Sequence, residues 1–200
     1  MTFGEIISLA IGAILVNNVL LSQFLGICSF VGVSKKRSSA LGMGLAVLFV
    51  LVLSSVVTWL LYNFVLVPFD VSFLSTIVFI LVIATLVQFV EMVIKKYIPG
   101  LYKVLGIYLP LITTNCAILG VANAVNVQQN FDFITTLVYS VSIGLGYILV
   151  MYIFSGIRER IEIAPIPKPF KGVAIALIIA GFMAMAMSGF VGINQWQVVK

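Results

Sequence analysis

Six runs of about twenty or more mostly apolar residues fill this chain, at 5–30, 40–66, 72–94, 101–122, 132–156 and 172–193. About twenty such residues in a helix cross the hydrocarbon layer of a bilayer. The chain therefore reads as an all-α integral membrane protein with six transmembrane helices. Of its 200 residues, 62% are hydrophobic and 8% charged. A soluble domain carries roughly 25% charged residues, and a soluble fold this small has nowhere to bury so much apolar surface. The short alternating segments of a membrane β-barrel do not appear. The length suits one domain, 1–200. Glu5 is the one charge before Lys35 and the apolar run is long, so the start reads as a retained membrane segment rather than a cleaved signal.

Polar breaks separate the runs. Ser34-Lys35-Lys36-Arg37 ends the first, Pro68-Phe69-Asp70 the second, and Lys95-Lys96-Tyr97-Ile98-Pro99-Gly100 the third. Asn123 to Asp132 reads as a polar loop. Arg158-Glu159-Arg160 and Pro165-Ile166-Pro167-Lys168-Pro169 form the longest connection. With Lys103 and Lys171, these breaks put ten of the eleven cations on one side of the membrane. Lys and Arg favour the cytoplasmic side, so both termini are expected outside. The net charge of +5 thus consists of loop anchors and not a nucleic-acid surface. Trp59, Tyr62, Tyr97 and Tyr102 sit near the ends of runs, where interfacial anchoring and core packing explain them equally well.

The chain repeats itself. Cys28-Ser29-Phe30-Val31-Gly32-Val33 and Cys116-Ala117-Ile118-Leu119-Gly120-Val121 share the pattern Cys-x-x-x-Gly-Val. Each lies in the first run of a half, and the next run of each half carries Gly-x-Gly, at Gly42-Met43-Gly44 and Gly144-Leu145-Gly146. Halves of about 1–98 and 99–200 hold three runs each. An odd number makes the second half enter from the opposite face, as two inverted three-helix repeats. Such repeats place working sites near the midplane on interrupted helices. The first run carries interruption signals at Asn17, Asn18, Gln23 and Gly26. The fourth has Pro110, Thr113, Thr114 and Asn115 leading into Cys116. Polar groups at that depth need partners or an internal cavity.

Two broken helices from opposite sides can bring Cys28 and Cys116 together. The pair can be small buried hydrophobes, or soft ligands for zinc or an iron–sulfur cluster. The chain has no His. Four protein ligands are the norm at such sites, so a cluster here would need another chain for its second half.

Longer stretches carry a resemblance. Val16-Asn17-Asn18, Phe24-Leu25-Gly26-Ile27-Cys28, Gly32-Val33-Ser34-Lys35-Lys36, Gln88-Phe89-Val90-Glu91-Met92, the run from Leu105 to Cys116 ending Pro-Leu-Ile-Thr-Thr-Asn-Cys, and Ile157-Arg158-Glu159-Arg160 closely resemble the A-type subunits of Rnf complexes. These are related to the E-type subunits of the Na⁺-translocating NADH:quinone reductase. The resemblance implies a bacterial inner-membrane complex that passes electrons between ferredoxin and NAD⁺ and moves Na⁺ or H⁺. It implies pairing with a homologous E-type Rnf subunit of opposite topology. It also implies a membrane-embedded [2Fe–2S] cluster to which this chain contributes Cys28 and Cys116. No Gly-rich nucleotide-binding motif appears, so flavin and NAD are expected on other subunits, which also carry further iron–sulfur centres.

Glu91 precedes Lys95 by four, a spacing that suits a salt bridge; an acid at the edge of a bilayer core also suits a cation path. Met183, Met185 and Met187 read as packing. Arg158-Glu159-Arg160 reads as a topology anchor or a dock for a cytoplasmic partner. Two rival functions fit the same pattern: a small secondary transporter with a midplane site, and a membrane scaffold with inert cysteines. Neither would hold reducible iron.

Overall fold

The computed structural model describes residues 3–34, 37–68, 74–97, 111–112, 114–128, 131–162 and 172–189. Among them every regular element is helical: α1 (Phe3–Ile11), α2 (Ile27–Val33), α3 (Arg37–Leu61), α4 (Ser75–Tyr97), α5 (Cys116–Asn123), α6 (Phe133–Glu162) and α7 (Val173–Ser188). Three stretches are long and apolar enough to cross a membrane, Arg37–Leu66, Ser75–Met92 and Phe133–Ile161. Three shorter apolar helices accompany them, Ile6–Val16, Cys116–Asn126 and Val173–Ser188. The expected breaks at Lys35–Lys36, Phe69–Asp70, Ile98–Gly100 and Pro165–Pro169, and residues 101–110 and Thr113 of the fourth run, lie outside the described residues.

The antiparallel pair α3 and α6 forms the centre. At one end the Arg37 guanidinium meets Glu159 at 2.8 Å. At the other, Trp59 Nε1 donates to the Phe131 carbonyl at 2.9 Å. Between them, glycines on each helix receive large side chains of the other. A methyl group on Gly44 would lie 2.9 Å from Ile148, and one on Gly144 would lie 2.9 Å from Leu48. Small residues of this kind let membrane helices approach closely when water is not there to drive them together. On α3 the buried positions run Ala40, Met43, Gly44, Val47, Val50, Leu51, Ser54, Ser55 and Thr58, the i, i+3, i+4 stripe of one helix face. Some hydroxyls on the pair bond back to their own helix, as from Ser55 to the Leu51 carbonyl and from Ser140 to the Thr136 carbonyl, whereas those of Ser54, Thr136 and Ser155 are buried with no partner among the described residues. Bonding back is how a polar side chain is tolerated inside hydrocarbon.

The Tyr62 and Phe79 rings pack together, so α4 starts beside the end of α3 and runs back. Arg37, Lys95, Lys96, Arg158 and Arg160 therefore gather toward one end of the bundle, opposite Asp132. Three helices finish in a π-type turn, at Gly12–Val16, Tyr62–Leu66 and Ala124–Gln128. In the first two, i→i+5 bonds run from the Asn17 amide to Gly12 and from the Val67 amide to Tyr62.

Two boundaries differ from expectation. Asn123 to Asp132 is not all loop, because helix continues through Gln128. Asn126 is buried there, its amide donating to the Ala122 carbonyl at 2.8 Å and lying 3.4 Å from the Thr58 hydroxyl. Arg158-Glu159-Arg160 is not connection either but belongs to the last turns of α6. Arg158 reaches a carbonyl of α2 and Glu159 pairs with Arg37 of α3, so these charges find partners without leaving the helix.

Candidate functional site

The first apolar run is interrupted where its polar residues stand. Helix stops at Val16 and resumes at Ile27. Asn18 accounts for this locally. Its amide nitrogen donates to the Ile14 carbonyl at 3.1 Å and to the Gly146 carbonyl at 3.0 Å, and its carbonyl oxygen accepts from the Leu20 amide at 3.1 Å. One side chain thus closes the π turn, starts the irregular stretch and ties both to α6. Gly146 permits the approach, since a methyl group there would lie 2.9 Å from the Ile14 carbonyl oxygen. Phe24 and Gly26 then take positive φ, at 54° and 84°. Glycine enters that region without strain, and the turn at Gly26 launches α2.

The second interruption is shorter. Asn115 caps α5, its side chain accepting from the Ala117 amide at 3.1 Å, as an N-cap residue does. Cys28 and Cys116 therefore both sit in the first turn of a short helix that follows a break.

The two breaks meet. The Gly26 amide donates to the Cys116 sulfur at 2.9 Å. Leu25 fills the notch left by Gly120, and a methyl group on Gly26 would lie 3.1 Å from Asn115 Oδ1 and 3.4 Å from both Ala117 and the Tyr147 ring. Cys28 is exposed, Cys116 is half-buried, and both thiols are free. Asn115 Nδ2 is buried beside Cys116 and near the Tyr147 hydroxyl, and makes no well-formed hydrogen bond among the described residues.

Helix α6 holds α2 along its length. The Tyr147 hydroxyl lies 2.6 Å from the Ser29 hydroxyl, and Phe154 stacks on Phe30 with centroids 3.8 Å apart. Arg158 is buried and donates to the Val31 carbonyl at 2.6 Å and to the Ser34 hydroxyl at 2.7 Å. It closes the C-terminal turn of α2, where carbonyls lack helical partners. Sequence reasoning took Arg158 for an anchor or dock and missed both Tyr147 and Ser29. A signal was there: Tyr147, Met151, Phe154 and Arg158 share one face of α6, and all four are buried.

Glu91 does not join this site. It is half-buried on α4, and among the described residues no three of His, Cys, Asp and Glu gather closely enough to hold a metal ion. Of the three methionines, Met183 and Met187 pack against the core, whereas Met185 is exposed.

The fold defines a multi-helix membrane protein in which two short helices, α2 and α5, each bring a cysteine motif to one point. The family described as "Rnf-Nqr subunit, membrane protein" matches residues 6–194, and the chain belongs to it. Among its relatives, the A-type subunit of the ion-translocating oxidoreductase complex of Serratia proteamaculans is 53% identical over 192 residues, 96% of this chain and 99% of that one. The protein of the same name from Azoarcus sp. is 53% identical with the same coverage. That of Sodalis glossinidius is 52% identical over 185 residues, covering 92% and 95%.

Proposed function

We propose that this chain is a membrane subunit of an Rnf-type ion-translocating ferredoxin:NAD⁺ oxidoreductase, without catalytic activity of its own. In this reading Cys28 and Cys116 supply two of the four thiolates of a [2Fe–2S] cluster. A homologous E-type Rnf subunit of opposite topology supplies the other two, and flavin, NAD and further iron–sulfur centres sit on other subunits. The observation that carries the reading is the bond from the Gly26 amide to the Cys116 sulfur. It joins the two motifs at a single point, in a chain whose relatives carry the name of an ion-translocating oxidoreductase subunit.

The residues present fit such a group. Both thiols are free, and Cys28 is exposed where a second chain can approach. An amide donor already faces one sulfur, the kind of hydrogen bond that tunes iron–sulfur centres. The Asn115 amide, buried beside Cys116 without a well-formed hydrogen bond among the described residues, offers another donor. When bound, the cluster would supply a one-electron carrier inside the low-dielectric layer. The chain's part is to fix the Cys116 sulfur between packed helices and to present the Cys28 sulfur at a surface where the second subunit can cover it.

The paired Cys-x-x-x-Gly-Val motifs, each at the start of a short helix that follows a break, support two inverted three-helix repeats, about 1–98 and 99–200, facing each other across a two-fold axis in the membrane plane. The gathering of cations at the Arg37 end supports a cytoplasmic location for that end and a bacterial inner-membrane protein with both termini outside. Glu91, half-buried on α4, remains in this reading a candidate for the ion path, with Na⁺ or H⁺ as cargo.

The test is iron and sulfide analysis of the complex purified through this chain, with electron paramagnetic resonance. The wild type should carry a reducible centre that disappears in Cys28→Ala and in Cys116→Ala. Retention of that centre in either variant overturns the reading and leaves a transporter or scaffold.

A further inference from the structure

We infer that Tyr147 and Ser29 are positioning residues that aim the Gly26 amide at the Cys116 sulfur, and so set the redox potential of the centre held there. The inference rests on the reading of Cys116 as a cluster ligand.

The direction of each hydrogen bond follows from the groups available. Ser29 Oγ lies 2.8 Å from the Gly26 carbonyl oxygen, which can only accept. The one hydroxyl proton of Ser29 is therefore committed to Gly26. The Tyr147 hydroxyl, 2.6 Å from Ser29 Oγ, must then be the donor. A directed chain results: Tyr147 donates to Ser29, Ser29 to the Gly26 carbonyl, and the amide of the same Gly26 to the Cys116 sulfur at 2.9 Å.

Gly26 is the pivot. Its φ of 84° is open to glycine with little preference, so the residue does not fix itself. Its carbonyl is held by Ser29 and by the Phe30 amide at 3.1 Å. The Tyr147 ring closes its open side. Tyr147 and Ser29 are 2% and 0% exposed, so water does not compete for these bonds. Neither hydroxyl is needed to build α2, whose own amide bond from Phe30 exists without them. Their position instead governs where the Gly26 amide points.

An amide hydrogen bond withdraws negative charge from a sulfur ligand. Reduction adds charge to the cluster, so the bond favours the reduced state and raises the potential. Tyr147→Phe and Ser29→Ala each loosen the pivot and should lower it. The expected shift is about tenfold in the redox equilibrium, ~59 mV for one electron.

The experiment is a redox titration of the intact complex followed by electron paramagnetic resonance, with iron and sulfide content measured on the same samples. Tyr147→Phe and Ser29→Ala should keep wild-type iron, shift the midpoint to lower potential and alter the line shape. Ser29→Thr, which keeps the hydroxyl, should stay near wild type. Tyr139→Phe, a second buried tyrosine on α6, should leave the potential unchanged. An unchanged potential in both Tyr147→Phe and Ser29→Ala overturns the inference. So does loss of the cluster from Tyr147→Phe together with a wild-type potential in Ser29→Ala, the pattern of a tyrosine needed for packing alone. Loss from both, unrelieved by Ser29→Thr, overturns it too. Cys116→Ala separates the levels: a centre that survives it defeats the ligand assignment itself, whereas a centre lost there with unshifted Tyr147 and Ser29 variants defeats only the positioning role.

Discussion

The two breaks carry the same Cys-x-x-x-Gly-Val motif and are built differently. The first takes ten residues, 17–26, and uses Asn18, two positive-φ residues and outside help from α6. No side chain caps α2 at its start. The second caps itself, through Asn115. The outcome differs too: Cys28 ends exposed, and Cys116 ends half-buried with an amide on its sulfur. One motif thus yields one presented thiol and one fixed thiol. A helix start held by a neighbouring helix can be offered at a surface; a helix start that closes on its own cap can be sunk into the core.

The comparison breaks first at the cysteines. Different settings would allow different importance, but a four-thiolate site fails when any one ligand goes. Cys28→Ala and Cys116→Ala should each remove the centre completely, measured as iron per complex. Where the settings should show is in the chain purified without partners. Cys28 should react with a maleimide well before Cys116, followed by mass spectrometry of the labelled peptides. Equal labelling rates would mean that the difference in exposure is lost in the free chain.

Arg158 sharpens the comparison next, because it holds the far end of α2, the helix that follows the first break. Removing it leaves the Val31 carbonyl and Ser34 hydroxyl without their partner. Hydrogen bonds to charged groups are worth about 1.5–3 kcal/mol in water-soluble proteins and less between membrane helices. Arg158→Met should therefore destabilise by about 2 kcal/mol, read as a lower thermal midpoint of the solubilised complex. Arg160→Met, at an exposed position two residues on, should change that midpoint little.

Glycine at the two levels of α2 gives a third contrast. Gly26→Ala forces a side chain into positive φ and against Asn115 Oδ1, a strain of about 1–3 kcal/mol. Among the described residues Gly32→Ala meets only Leu111 at 4.0 Å, and it improves the helix interior by roughly 0.5–1 kcal/mol. Thermal midpoints of the two variants should move in opposite directions, and a fall in both would mean that Gly32 has a packing role.

Of the six expected spans, Arg37–Leu66, Ser75–Met92 and Phe133–Ile161 were legible as long membrane-crossing helices, because hydrocarbon demands long apolar runs. The first break was legible at Asn17, Asn18 and Gly26, polar or permissive residues where an unbroken helix would carry none. Its mechanism was not, since the bond from Asn18 to the Gly146 carbonyl spans 128 residues. Asn126 was misread as loop because polarity alone cannot show that a side chain bonds back to its own helix. Arg158 was misread because a cation beside Glu159 and Arg160 looks like a surface cluster. Only the facing of α6 separates it from its neighbours: Glu159 turns out to the Arg37 bridge while Arg158 turns in to α2.

The smallest expected effect tests whether the second break truly stands by itself. Asn115 Oδ1 accepts the Ala117 amide, and an N-cap of this kind is worth about 0.5–2 kcal/mol against alanine. Asn115→Ala should therefore lower the thermal midpoint by an amount equivalent to ~1 kcal/mol. Asn115→Ser keeps an acceptor oxygen at the cap and should recover most of that loss. The serine variant, however, also deletes Nδ2, which is buried without a well-formed hydrogen bond among the described residues. If that amide serves only the neighbouring Tyr147 hydroxyl, Asn115→Ser should be about as stable as the wild type and leave the potential unchanged. If it donates to the centre bound at Cys116, stability returns while the redox potential falls, because one donor to the sulfur environment has gone. Measuring both quantities on the same variant distinguishes a cap that only starts a helix from one that also faces the cofactor. A serine variant as unstable as the alanine variant would mean that α5 depends on contacts other than its cap, and the contrast between the two breaks would fail.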